Sequence, residues 1–215
     1  MRKSVIILSG GMDSTTVLYD IVEKGFKVEA LSFDYGQNHK KELEFAKYHC
    51  AHLGIPHKII NLDFSCFKSS LLSGSEDIPE GHYEDETMKS TVVPFRNGIM
   101  LSYAIGYAEN IKAHCVLIGS HAGDHAIYPD CRESFTKAMS KAAREGTYNG
   151  IEIISPFNKL MKWDIVKKGN ELNIPYAMTW SCYKGGDKHC GKCGTCQERL
   201  EAFKLAGVED PVLYE

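Results

Sequence analysis

Short apolar runs alternate with amphipathic stretches along most of this chain, and that alternation restricts the fold more than any other feature. Apolar runs cover Lys3–Leu8, Lys27–Phe33, His57–Leu62, Cys115–Gly119 and Ile151–Ser155. Helical periodicity covers Asp13–Lys24, Asn38–Leu53, Asn97–Asn110, Arg132–Glu145 and Asp164–Leu172, with Gly25, Gly54, Pro56 and Pro175 as stops. Strand and helix in strict turn imply right-handed crossovers, hence an open, mostly parallel sheet with helices on both faces. The expected fold class is therefore α/β. After Tyr176 the texture becomes rich in cysteine and glycine, ending in a short helix over Gln197–Ala206, so the chain divides into 1–176 and a small tail, 177–215. The polar stretch Asp63–Val93 has weak periodicity and reads as a long connection.

At 215 residues with a formal net charge of −3 and no long block of one sign, the chain lacks the basic excess of a nucleic-acid binder. No apolar run approaches the ~20 residues of a membrane span. The opening Met1–Leu8 has only a brief apolar run before Ser9-Gly10-Gly11 and reads as a first strand, not a signal peptide. Eight cysteines without an export signal point to metal binding or buried thiols, and the expected location is cytoplasmic.

Ser9-Gly10-Gly11-Met12-Asp13-Ser14 lies between the first strand and the first helix. Two glycines let the backbone turn tightly, and Ser9, Ser14 and Thr15 add hydroxyls at a helix N-terminus that attracts anions. A plain strand–helix turn capped by Asp13 or Ser14 is the simpler alternative. The segment is neither G-x-G-x-x-G nor G-x-x-x-x-G-K-[ST], which leaves dinucleotide and P-loop sites unsupported. It matches the pyrophosphate loop of the PP-loop ATP pyrophosphatases. That resemblance implies cleavage of ATP between its α- and β-phosphates, with Mg²⁺ offsetting the repulsion between Asp13 and the polyphosphate.

Cys182, Cys190, Cys193 and Cys196 form C-x7-C-x2-C-x2-C, with Gly191 and Gly194 as turn residues. Four thiolates suit a closed tetrahedral Zn²⁺ site of structural type, one per chain. An iron–sulfur cluster is the competing occupant, and His189 is set aside because adjacent residues rarely ligate together. Cys50, Cys66 and Cys115 read as small buried residues.

Five segments in order resemble the 7-cyano-7-deazaguanine synthase family over nearly the whole chain. They are the loop Ser9–Ser14, Phe33-Asp34-Tyr35-Gly36-Gln37, Val93-Pro94-Phe95-Arg96-Asn97, Tyr128-Pro129-Asp130-Cys131-Arg132, and Ser181-Cys182-Tyr183 leading into the cysteine cluster. The resemblance implies an ATP-dependent ligase that turns 7-carboxy-7-deazaguanine and ammonia into the nitrile through an adenylated acid and an adenylated amide. It implies ATP binding by Leu8, Ser9, Gly10, Gly11, Met12, Asp13, Ser14, Thr15, Thr16, Val17 and Leu18. Asp13, Arg96 and Lys162 would be catalytic, the two cations neutralising departing pyrophosphate, while Asp164 would cap the helix after Lys162. Asp124, Tyr128, Asp130, Cys131 and Arg132 would line the base pocket. Two places depart from the family pattern: the pair Ala126-Ile127 stands where Ser-Gly is expected, and Phe95 fills a slot expected to be smaller.

Three other readings share parts of this pattern: a paralogue coupling the acyl group to a protein amine, a PP-loop tRNA-modifying enzyme, and a nucleotide-binding regulator without catalysis. The charge balance disfavours RNA contact. The expected partners are small molecules, with no nucleic acid and no membrane, and a homodimer is left open.

Overall fold

The computed structural model describes residues 2–72 and 78–215. Five strands, β1 (Lys3–Ile7), β2 (Lys27–Asp34), β3 (His57–Asn61), β4 (Cys115–Leu117) and β5 (Glu152–Ile154), form one sheet in the order β3-β2-β1-β4-β5. Every pairing is parallel, with Ile6 of β1 opposite Ala30 of β2 and Leu117 of β4. The helices are α1 (Met12–Glu23), α2 (Lys41–Leu53), α3 (Arg96–Asn110), α4 (Glu133–Gly146), α5 (Lys162–Glu171) and α6 (Gly194–Ala206). The α/β expectation holds, with element ends moved by one to three residues.

Strand alternation divides the core into two layers. Val5, Leu31, Phe33 and Val116 meet α3 and α4 through Leu101, Ala104, Ala108 and Ala143. Ile6, Leu8, Ala30 and Leu117 face the other way, onto Val17 and Leu18 of α1, Ala46 of α2 and Ile165 of α5. Cys50 and Cys115 are buried in this second layer as expected, and burial pushes the Cys50 thiol up to about 12. Cys66 is exposed, contrary to its reading as a buried residue.

Residues 73–77 of the connection from Asp63 to Val93 lie outside the described residues; the rest of it is anchored to the core. Phe64, Leu71, Leu72 and Val93 are buried in the core against α3, and Glu86–Thr91 forms a 3-10 turn. Isolated apolar residues anchor it, too sparse to show a helical or strand period.

The tail returns to the first helices. Ala202 and Phe203 of α6 share a core with Met12 of α1, Val166 of α5 and Tyr176. Arg199 is fully buried; it donates to both carboxylate oxygens of Asp210 and to the Tyr176 carbonyl and the Thr179 hydroxyl. A buried guanidinium needs this full set of acceptors. No helix among the described residues is long and apolar enough to cross a membrane.

Candidate active site and metal centre

Strand order reverses between β1 and β4, and in open parallel sheets that crevice is where ligands bind. The glycine turn sits there. Gly10 has φ +92°, and a Cβ on it would collide with the Glu42 carbonyl, so only glycine lets α2 pack against the loop. At the end of β4, a Cβ on Gly119 would lie 2.8 Å from the Ser14 amide nitrogen. The two loops thus meet backbone to backbone. Ser9 and Ser14 hydroxyls lie 3.0 Å apart, and the Ser9 and Gly11 amides donate to the Ser14 and Ser9 hydroxyls respectively.

The expected ATP segment splits in two. Leu8, Ser9, Gly11, Met12, Asp13 and Ser14 line the cleft, with Gly10 forming the bend behind them. Thr15, Thr16, Val17 and Leu18 are buried in α1; Thr16 donates to the Met12 carbonyl and pairs with the Tyr176 hydroxyl, while Val17 and Leu18 belong to the core. They fix the helix rather than face the cleft.

Lys162, at the start of α5, reaches this turn. Its ammonium lies 3.4 Å from Asp13 Oδ2 and 2.5 Å from Glu198 Oε2, a residue of α6. Burial works against that charge, but Asp13, Glu198 and Asp124 outweigh it and hold the lysine well above its usual value. Asp164 accepts from the Met161 amide and caps α5, as expected. Arg96, at the start of α3, donates to the Tyr35 hydroxyl. Burial opposes its charge too, yet Tyr35 and Tyr183 raise it further than burial lowers it. Two cations therefore face the cleft from different helices.

Of the residues expected in the base pocket, Asp124, Tyr128 and Cys131 line the cleft. Burial holds the Cys131 thiol well above its usual value, with Asp124 and Asp130 adding to the effect, so it is no ready thiolate. Asp130 and Arg132 are not among the lining residues. The Asp130 carboxylate accepts the Asn97 amide at the start of α3, and exposed Arg132 donates to the His125 carbonyl. Ile127 lines the cleft, whereas Phe95 is exposed, at φ +52°, against Phe135.

Glu42, Glu198 and His121 were not singled out by sequence. Glu42 and Glu198 lie in helical stretches where a carboxylate reads as a solvated face, and His121 follows a strand without any motif around it. Glu42 lines the cleft and burial pushes its carboxyl from 4.5 to about 7, the nearby Arg96 offsetting only part of the effect. The folded chain keeps a proton there that the unfolded chain releases, so this group's contribution to stability falls as pH rises from 4.5 to about 7. Denaturant titrations across that window show a shallower decline for Glu42→Gln than for the parent chain. Equal slopes would remove Glu42 as the group responsible.

Cys182, Cys190, Cys193 and Cys196 are all buried, and their sulfurs lie within 4.8 Å of one another. A Zn–S bond of about 2.3 Å sets tetrahedral S–S edges near ~3.8 Å; the Cys190 and Cys196 sulfurs are 3.9 Å apart. Amides of Cys190, Lys192 and Cys193 donate to cysteine sulfurs, as suits thiolates. The donor set fits a single metal ion. His189 accepts the Ser181 amide and packs on Trp180, outside the sulfur cluster.

The sheet order, the glycine turn at its switch point and the cations facing it define a PP-loop α/β protein carrying four clustered thiols that could hold a metal ion. Solved structures of the same fold include the U34-tRNA thiolase NcsA from Methanococcus maripaludis with its [4Fe-4S] cluster, at TM-score 0.52 and 15% identity over 95% of this chain and 65% of that one. NMN synthetase from Francisella tularensis gives TM-score 0.51 and 17% identity over 96% and 77%. Within that class, the family model described as "Queuosine biosynthesis protein QueC" matches residues 3–207, and the chain belongs to this family. Its relatives include 7-cyano-7-deazaguanine synthases of Caldicellulosiruptor bescii, 52% identical over 99% of this chain and 97% of the relative, and of Methanoregula boonei, 54% identical over 99% of both.

Proposed function

We propose that the protein is an ATP-dependent carbon–nitrogen ligase that converts 7-carboxy-7-deazaguanine and ammonia into 7-cyano-7-deazaguanine, a precursor for queuosine-type nucleosides. The observation that carries the reading is the full-length likeness, at 52–54% identity, to relatives bearing that activity in their names. The cleft supplies groups suited to each step. The turn from Ser9 to Ser14 holds the phosphates of ATP at the α1 N-terminus, and Lys162 and Arg96 offset the negative charge that accumulates as pyrophosphate leaves. Mg²⁺ travels with the triphosphate; Asp13 already has Lys162 as its counter-charge.

The substrate carboxylate attacks the α-phosphorus, the bond to pyrophosphate breaks, and an acyl-adenylate forms. Ammonia then displaces AMP to give the amide. A second ATP adenylates the amide oxygen, releasing pyrophosphate as one proton leaves nitrogen, and departure of AMP with the second nitrogen proton leaves C≡N. The protein's part is alignment and exclusion of water from the adenylates. Asp124 and Tyr128 stand at the cleft wall beside the base, while Asp130 acts through the start of α3 that carries Arg96. Residues 1–176 serve as the nucleotide-binding domain and 177–215 as a zinc-binding tail. The metal is structural: four sulfurs leave no open position for water, and their close spacing favours one ion over a cluster. The reading puts the enzyme in the cytoplasm, acting on small molecules without nucleic acid, and leaves a homodimer open.

Incubation with the acid, Mg-ATP and ammonium, followed by mass spectrometry, tests the reading. The expected result is amide followed by nitrile, with AMP and pyrophosphate as co-products. ADP, or adenylate without any nitrile, overturns it.

A further inference from the structure

One end of the cleft holds an arrangement that phosphate binding does not explain. His121 is fully buried after β4, and its Nδ1 accepts the Gly123 amide at 3.1 Å. A ring nitrogen that accepts cannot carry the proton, so the neutral ring bears its N–H on Nε2. That Nε2 has no hydrogen-bond partner among the described residues. It points among three carboxylates: Asp124 Oδ1 at 3.5 Å, Glu198 Oε1 at 3.7 Å and Asp13 Oδ2 at 3.9 Å. A buried orphan donor is costly unless something fills the gap.

Gly123, which lines the cleft, packs closely against this corner. A Cβ there would sit 2.9 Å from His121 Cε1 and 3.1 Å from Glu198 Oε1. The occupant must accept one hydrogen bond, from His121, and donate to the carboxylates around it. Three acids against the one Lys162 ammonium make this corner, unlike the adjoining glycine turn, unfavourable for an anion. With its N–H facing the corner, His121 itself offers no lone pair to a metal ion. Ammonia has one lone pair and three N–H bonds, and matches each of these demands.

We propose that Asp13, Asp124, Glu198 and the His121 N–H form the binding site for the ammonia that attacks the acyl-adenylate, with His121 as a positioning residue. The proposal rests on the ligase reading above. Ammonia arrives as the free base, its lone pair held by His121 and its hydrogens by the carboxylates. On release from the imidazole, that lone pair forms the C–N bond while the C–O bond to AMP breaks. The surplus proton on nitrogen passes to the departing AMP phosphate or to water at the cleft mouth.

The test compares the parent chain with His121→Leu, His121→Asn and Gly123→Ala. Two rates are read: acid-dependent exchange of labelled pyrophosphate into ATP, which needs no ammonia, and product formation against ammonium concentration. Loss of the donor in His121→Leu is expected to raise the KM for ammonium about tenfold or more, with exchange within about twofold of the parent. His121→Asn, which keeps a donor, recovers most of the affinity, and Gly123→Ala, whose Cβ presses on the His121 ring, behaves like His121→Leu. An unchanged ammonium KM in both His121→Leu and Gly123→Ala, or an exchange rate that falls in step with product formation, overturns the site. A parent chain that exchanges pyrophosphate yet forms no ammonium-dependent product overturns the ligase reading instead.

Discussion

Lys162→Met lowers turnover by about 10²–10³-fold, read as pyrophosphate release at saturating substrates, because a pre-aimed charge on the leaving group disappears. The side chain is only 11% exposed and lies between Asp13 and Glu198. Methionine preserves its bulk, so the change isolates the charge. It also leaves two carboxylates facing each other without their cation, a loss of roughly 3–5 kcal/mol when such groups are buried; Asp13 is 22% exposed, which places the expected cost at the lower end. Adding Asp13→Asn removes one of the stranded charges and recovers part of the melting temperature but none of the rate. This split between stability and turnover separates a charge used in the reaction from one that only holds α5 and α6 together. If the double variant regained activity, Lys162 would be a structural counter-ion and the pyrophosphate role would be lost.

Much of this arrangement is legible in the sequence, and the rest is hidden for reasons specific to each residue. The glycine turn shows in sequence because tight turns demand particular residues in contiguous order, and the cysteine cluster because its spacing is short. The sheet follows from alternation of apolar runs. Lys162 was found through resemblance, yet its partner Glu198 was not: the two are 36 positions apart and meet only after α6 folds against α5. Asp130 and Arg132 sit in a segment that suggests substrate contact, but the 3-10 turn at Pro129–Cys131 directs Asp130 to the start of α3 and leaves Arg132 outside. Glu42 gives no signal because its role comes from burial against Arg96, which lies beyond β3 in the chain. Residues whose chemistry depends on a distant neighbour carry no local pattern.

The pairing of Lys162 with Glu198 ties the four-cysteine cluster to the cleft. Cys196, Glu198 and Arg199 occupy one turn of α6, facing respectively the sulfur cluster, the cleft lysine and the latch to Asp210. Cys193→Ser is therefore expected to affect both parts of the molecule. With three sulfurs left, the ion is held weakly, and structural zinc sites contribute about 10–16 kcal/mol of apparent binding energy to folding. Loss of even ~5 kcal/mol of this lowers the melting temperature of a chain this size by roughly 10–20 °C. Metal content measured by plasma spectrometry falls from one ion per chain towards zero, and pyrophosphate release falls with it, although the cysteines themselves perform no chemistry. Cys66→Ser, at an exposed thiol, leaves metal content, melting temperature and turnover unchanged. A stepwise chelator titration of the parent chain supplies the decisive comparison: activity and metal content decline together if α6 needs the ion to present Glu198. Full turnover in metal-free protein would instead show that the packing of Ala202 and Phe203 against Val166 and Tyr176 holds α6 in place by itself.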